Sequence, residues 1–163
     1  IGGPDALRRL LGALPQDLTL PVLVHMRLDG GRYGNLVKQM SRVSALPLAL
    51  AEAGKPVEAG LVHVLPDDVG VEFQHGGLHF IQDASGIQVE SLPAEHSAVL
   101  MLSGADTARV EAVLAKGREG AWIAGQSGEG CYDPVAATAV VAAGHTAADP
   151  LQMAQALSER WGG

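Results

Sequence analysis

The sequence has 163 residues, of which 47% are hydrophobic and 18% charged, which suffices for one sizeable core and argues against disorder. The net charge is −7 and only 4% of residues are aromatic, so nucleic acid and anionic membrane surfaces are unfavourable partners. The single cysteine, Cys131, excludes an internal disulfide and favours the cytoplasm, while no segment reaches the roughly 18 apolar residues of a membrane span.

The first half of the chain alternates amphipathic helices with short apolar runs. Leucines at 7, 10, 11 and 14 predict a helix over 6–14, with Pro4 and Asp5 in its first turn. The run 20–26 predicts a buried strand that brings His25 to its C-terminal end. A second helix is expected over 36–43, and further strands over 47–51 and 60–65.

The second half predicts a hairpin first and α/β alternation after it. The hairpin strands are expected over 69–73 and 77–82, with a further short strand over 86–90. Strands then follow over 97–102 and 120–125, and helices over 107–116, 134–143 and 150–161. This order predicts one α/β domain over residues 1–163, with a doubly wound, mainly parallel sheet, helices on both faces and an antiparallel hairpin insertion.

Three loops are candidates for one functional site, because open α/β sheets bind ligands at the carboxyl ends of their strands. These are the glycine turn Ile1-Gly2-Gly3, the strand end at His25 and the strand end at Asp106. A histidine oriented by an aspartate, beside a glycine-rich turn into a helix, is the layout of a serine hydrolase. Backbone N–H groups at the helix start would then stabilise an oxyanion.

Each candidate residue also has a purely structural interpretation. His25 would be a buried histidine at a strand end, and Asp106 would cap the helix that starts at Thr107. Ser103 is the nearest hydroxyl to the site, but a nucleophile role is disfavoured because its turn lacks a strained elbow. Cys131 is best interpreted as a small hydrophobe. The other histidines, at 63, 75, 79 and 96, lack metal-ligand spacing, so no metal or cofactor is expected.

The order of these motifs resembles the catalytic domain of bacterial chemotaxis-type (CheB-type) protein-glutamate methylesterases. Ile1-Gly2-Gly3 is similar to the end of the family's Ser-Thr-Gly-Gly turn, and Val24-His25-Met26 to its Gln-His-Met strand end. The segment 103–106 resembles the end of the family's Thr-Gly-Met-Gly-Asn-Asp loop. Looser matches are found over 33–36, 52–66 and 120–126 and at Pro134.

The resemblance implies a Ser-His-Asp triad with its serine immediately before Ile1, so that the first strand and the nucleophile lie outside the sequence. His25 would be the general base and Asp106 its orienting carboxylate, with Ile1, Gly2 and Ser103 supplying backbone donors to the oxyanion. The Asp loop departs from the family, since Ser103 and Ala105 replace its Met and Asn. The short interval 90–96 also lacks an Arg/His-rich segment that the family carries.

The implied function is hydrolysis of γ-glutamyl methyl esters on the cytoplasmic helices of methylated chemoreceptors, with glutamine deamidation as a related activity. A receiver domain is expected outside this chain, and neither nucleic acid nor membrane insertion is expected. One alternative is a catalytically degenerate domain that serves as a receptor-docking or scaffold module. Another is a general α/β esterase for small esters.

Overall fold

The computed structural model describes residues 3–26, 32–74, 76–128 and 130–162. The helices are α1 Gly3–Ala13, α2 Tyr33–Ser41, α3 Val110–Arg118, α4 Val135–Ala142 and α5 Pro150–Trp161. The strands are β1 Val22–His25, β2 Leu48–Leu50, β3 Val62–Leu65, β4 Val69–Gln74, β5 Gly77–Gln82, β6 Ala98–Met101, β7 Trp122–Gln126 and β8 Thr146–Ala148. Two short 3-10 helices, Val89–Ser91 and Thr107–Arg109, complete the secondary structure of these residues.

The described strands form two parallel sheets and one hairpin. The parallel sheets have the orders β1-β3-β2 and β6-β7-β8, and β4 pairs with β5 in antiparallel register. The α/β class, the parallel strands and the antiparallel hairpin are therefore confirmed. The parallel strands are divided between two sheets, which alternation of helices and strands alone does not specify.

The helices bury the faces that the leucine spacing predicts. Leu7, Leu10 and Leu11 of α1 pack in the same hydrophobic cluster as Met153 and Leu157 of α5. The cluster extends to β1 and β3, and all four residues of β3 are buried. In the described part of the chain, no helix combines the length and the apolar character that crossing a membrane requires.

A second core lies between β7 and the helices α3 and α4. Gly125 of β7 allows this close packing, because a Cβ atom there would lie 2.4 Å from the Ala137 carbonyl oxygen of α4. The alanine-rich sequence of α4 fits the same short distance. Small residues on both elements therefore set the spacing of this layer.

The prediction of a strand over 86–90 is wrong. Gly86 has a φ of +73° and closes a turn by donating its N–H to the Asp83 carbonyl, after which the chain forms the 3-10 helix Val89–Ser91. The carbonyl groups of this segment have no neighbouring strand to bind among those described and accept hydrogen bonds from side chains instead. Arg109 donates to the Ile87 carbonyl and Lys116 to that of Glu90. The three-residue strand β8 was not predicted from the sequence.

Candidate active site

His25 is the last residue of β1, as the sequence predicts, and its side chain is 23% exposed. In the parallel register His25 pairs with Leu65, the last residue of β3. Asp67 lies two residues beyond Leu65, and its Oδ1 is 3.7 Å from His25 Nε2. The structure therefore brings the carboxylate of Asp67 to the imidazole of His25.

The main chain of Asp67 is held by close packing. The Pro66 carbonyl accepts the Val69 N–H at 3.2 Å, which closes the turn that follows β3. Gly86 approaches from the other side, where a Cβ atom would lie 2.8 Å from the Asp67 carbonyl oxygen and 3.8 Å from Arg109 Nη2. Only glycine fits here, because the φ of +73° and the short distance both exclude a side chain.

Asp106 caps the helical segment that follows it, which confirms the structural interpretation of this residue. Its Oδ1 accepts the Ala108 N–H at 2.9 Å, and its Oδ2 lies 3.9 Å from Arg109 Nε. Arg109 in turn donates to the Ile87 carbonyl. An additional role of Asp106 in orienting His25 stays a prediction.

Ser103 and Gln126 form a buried polar pair at the carboxyl ends of β6 and β7. Ser103 is 4% exposed and Gln126 is 3% exposed. The Ser103 N–H donates to Gln126 Oε1 at 2.7 Å, while Ser103 Oγ accepts the N–H groups of Tyr132 and Asp133 at 3.1 and 3.0 Å. Gln126 Nε2 is buried without an acceptor among the described residues.

This hydrogen bonding fixes the start of the Asp106 loop against the segment after β7. Gly104 adds a further bond by donating its N–H to the Asp133 carbonyl at 3.0 Å. The deep burial of Ser103 disfavours its use as a nucleophile. Its N–H already donates to Gln126 Oε1. To act as an oxyanion donor, a role that stays a prediction, the Ser103 N–H would have to leave Gln126 and bind the oxyanion instead.

Cys131 contacts the same polar pair. Its thiol donates to the Gln126 carbonyl with a Sγ–O distance of 3.6 Å. Burial raises the pKa of the Cys131 thiol, against a lowering by a hydrogen bond with Ser103, and the Asp133 carboxylate raises it further. The thiol is therefore protonated at neutral pH, in keeping with a packing role rather than a nucleophilic one.

The remaining predicted site residues, Ile1 and Gly2, lie outside the described residues, as does His75. Sequence reasoning did not single out Asp67 or Gln126. A signal existed for both, since Asp67 follows a buried apolar run and Gln126 ends another, and polar residues at such strand ends face the ligand edge of an α/β sheet.

The family model of the CheB methylesterase matches residues 1–157. This chain belongs to the CheB methylesterase family. The crystal structure of the CheB methylesterase catalytic domain of Thermotoga maritima has the same fold, with a TM-score of 0.80 and 20% sequence identity. The alignment covers 97% of this chain and 93% of that domain.

Two relatives with similar sequences are named protein-glutamate methylesterase/protein-glutamine glutaminase. The protein from Symbiobacterium thermophilum is 36% identical over 96 residues, which are 58% of this chain and 24% of the relative. A protein from Myxococcus xanthus, numbered 3, is 32% identical over 85 residues, which are 52% of this chain and 24% of the relative. The matched part of the chain thus spans about a quarter of the length of these CheB relatives.

Proposed function

We propose that this chain is the catalytic domain of a protein-glutamate methylesterase that also deamidates glutamine. The observation that carries the proposal is the CheB family match over residues 1–157. The position of His25 supports it, because a histidine at the carboxyl end of a parallel strand is suited to act on a ligand at that edge. The names of the relatives agree with both reactions.

The proposed mechanism is acyl transfer through a serine that precedes Ile1. His25 accepts the serine proton as the hydroxyl attacks the γ-carbonyl carbon of the methyl ester. The tetrahedral intermediate then expels the methoxide group, which takes the proton from His25 and leaves as methanol. Water, activated in turn by His25, hydrolyses the acyl-enzyme and releases the glutamate carboxylate.

In this mechanism Asp106 orients His25, and the backbone at Ile1, Gly2 and Ser103 surrounds the oxyanion. The substrate is a methylated chemoreceptor, whose helices carry the modified glutamates. The proposed setting is a chemotaxis-like pathway in the bacterial cytoplasm, with a receiver domain elsewhere in the full-length protein. Neither a metal nor a cofactor takes part in these steps.

The decisive test is methanol release from receptor membranes with labelled methyl esters. The full-length protein is compared with a His25→Ala variant and with His79→Ala, a matched histidine on the hairpin strand β5. We expect release by the wild type and by His79→Ala, and at least a thousandfold loss in His25→Ala. Equal rates in all three proteins, or a residue other than serine before Ile1 in the parent gene, contradict the proposal.

A second candidate is a receptor-docking domain that has lost catalysis. Two observations favour it: Asp106 is engaged by Ala108 and Arg109, and the N–H of Ser103 is engaged by Gln126. Co-sedimentation of the full-length protein with receptor membranes, without any methanol release, would support this alternative.

A further inference from the structure

We propose that Asp67 is a specificity residue of this site, which favours uncharged γ-carbonyl groups over the carboxylate product. The inference rests on the proposed methylesterase function. It concerns the one step that the proposed triad leaves open, which is how the site releases an anion that resembles its substrate.

The position of Asp67 relative to His25 follows from the strand register. His25 and Leu65 are paired at the ends of neighbouring parallel strands, so the residues just beyond Leu65 reach the same edge as the imidazole. The carboxylate of Asp67 lies 3.7 Å from Nε2 and is about half exposed, so it faces the space outside the strand ends. A substrate that His25 serves must approach through that space.

Two other carboxylates of the chain are engaged by neighbouring groups. Asp106 accepts the Ala108 N–H and lies beside Arg109, while Asp68 accepts a hydrogen bond from Gln82 Nε2 at 3.0 Å. Asp67 instead directs its charge at His25. Gly86 packs against the Asp67 main chain and keeps it at this position.

The reaction changes the charge of the group that lies beside Asp67. The methyl ester and the glutamine amide are neutral, whereas the product is a carboxylate at the same carbon. That carbon lies near the proton that His25 transfers, so the product charge forms close to Asp67. Repulsion between two such charges across partly exposed solvent weakens product binding about three- to tenfold. The same charge stabilises the imidazolium that His25 becomes in the transition state.

The test compares Asp67→Asn with Asp68→Asn in the full-length protein. The control removes the same charge from the adjacent exposed residue. We expect Asp67→Asn to lower kcat about three- to tenfold, to leave KM for the methyl ester within twofold, and to tighten product inhibition about three- to tenfold. Asp67→Glu should restore wild-type product inhibition, and Asp68→Asn should behave as the wild type.

A purely structural role of Asp67 predicts a different pattern. In that case Asp67→Asn would change the affinity for neutral substrate and the affinity for anionic product together. Its change in product inhibition would then have the same sign as that of Asp68→Asn. Unchanged product inhibition in Asp67→Asn, or an equal change in both variants, overturns the proposal.

A binding experiment separates this inference from the proposed function. Two peptides that differ only by glutamine in place of glutamate are titrated against protein with a labelled His25 ring, which is followed by NMR. If the wild type releases no methanol, the proposed function fails, and the peptides still decide the role of Asp67. A preference of threefold or more for the glutamine peptide that disappears in Asp67→Asn supports it, and equal affinities in the wild type overturn it.

Discussion

The side chain of Gln126 holds the loop that carries Asp106 through a single acceptor, and its contribution can be measured. Gln126→Met keeps the volume but leaves the buried Ser103 N–H without an acceptor, which costs about 1–3 kcal/mol of unfolding free energy. Urea denaturation gives this difference, and amide exchange over residues 102–106 should become faster.

Two further variants give the contrast for Gln126. Gln126→Glu retains an acceptor for Ser103 and should preserve slow exchange of its amide. Ile123→Val, a buried substitution on the same strand, should destabilise by about 1 kcal/mol without accelerating exchange in the Asp106 loop. If Gln126→Met and Ile123→Val have the same exchange pattern, Gln126 does not hold the loop.

His63 makes stability depend on pH. It is 3% exposed, its ring lies 5.0 Å from that of Phe80, and its Nε2 accepts the Glu58 N–H at 3.1 Å. Burial lowers the pKa of His63, although a hydrogen bond that the protonated ring donates to the Glu58 carbonyl and the negative charge of Glu58 raise it in part. The unfolded chain therefore binds this proton more readily, and stability falls as pH decreases below about 6.5.

Measured unfolding free energies between pH 7.5 and pH 5 test this sign. The loss on acidification should be smaller in His63→Gln, which cannot take up the proton, than in the wild type. Ile123→Val, a buried substitution without a titratable group, is the control and should retain the wild-type slope. A slope that His63→Gln leaves unchanged would show that another group titrates.

At the residue scale, the sequence predicted where a residue lies in the secondary structure better than which residue its side chain contacts. The apolar run before His25 was enough to place it at a strand end, and the position of Asp106 before Thr107 was enough to predict a cap. The pairs His25–Asp67 and Ser103–Gln126 were not predictable, because each joins residues more than 20 positions apart. Such contacts depend on which strands are neighbours, and apolar runs carry no information on that order.

At the scale of elements, one buried cation fixes the irregular stretch before β6. Lys116 of α3 donates to the carbonyls of Glu90 and Leu92 at 3.3 and 2.7 Å, and its side chain is 7% exposed. These bonds satisfy carbonyl groups that a strand ladder would otherwise bind. The segment thus depends on α3 for its conformation.

Lys116→Met should therefore destabilise the protein although it adds an apolar side chain. Two carbonyl groups lose their donor, and we expect a loss of about 1–3 kcal/mol in the free energy of unfolding. Thermal and urea denaturation give the value, with Lys38→Met on the exposed face of α2 as the control. A neutral or stabilising effect of Lys116→Met would show that the carbonyls bind water equally well.

The helices were predictable where the amphipathic pattern extends over several turns. The leucines of α1 and the polar and apolar alternation of α5 define helices of 11 and 12 residues. The capping box of Asp149 and Gln152 marks the start of α5. By contrast, β8 was not predictable, because it has only three residues in an alanine-rich stretch. Over 86–90, hydrogen bonds from side chains take the place of the strand pairing that the sequence suggested.

At the scale of the whole molecule, the spacing between layers is limited by backbone contact at Gly125. Gly125→Ala would bring a methyl group against the Ala137 carbonyl oxygen, and we expect a loss of about 1–3 kcal/mol. Gly34→Ala in α2 is the matched control, because no described residue other than its chain neighbours and the helix backbone lies within 4 Å of the added methyl. It should stabilise by about 0.5–1 kcal/mol. Chemical denaturation that gives both variants the same sign would contradict this account of the layer.

The division of the parallel strands into two sheets has a consequence for how the isolated chain behaves in solution. Among the described strands, β6 pairs with β7 alone and lies at the edge of its sheet, with three of its four residues only half-buried. An edge of this kind accepts a further extended segment through backbone hydrogen bonds. Self-association of this chain should therefore increase with protein concentration, and analytical ultracentrifugation over a dilution series would detect it.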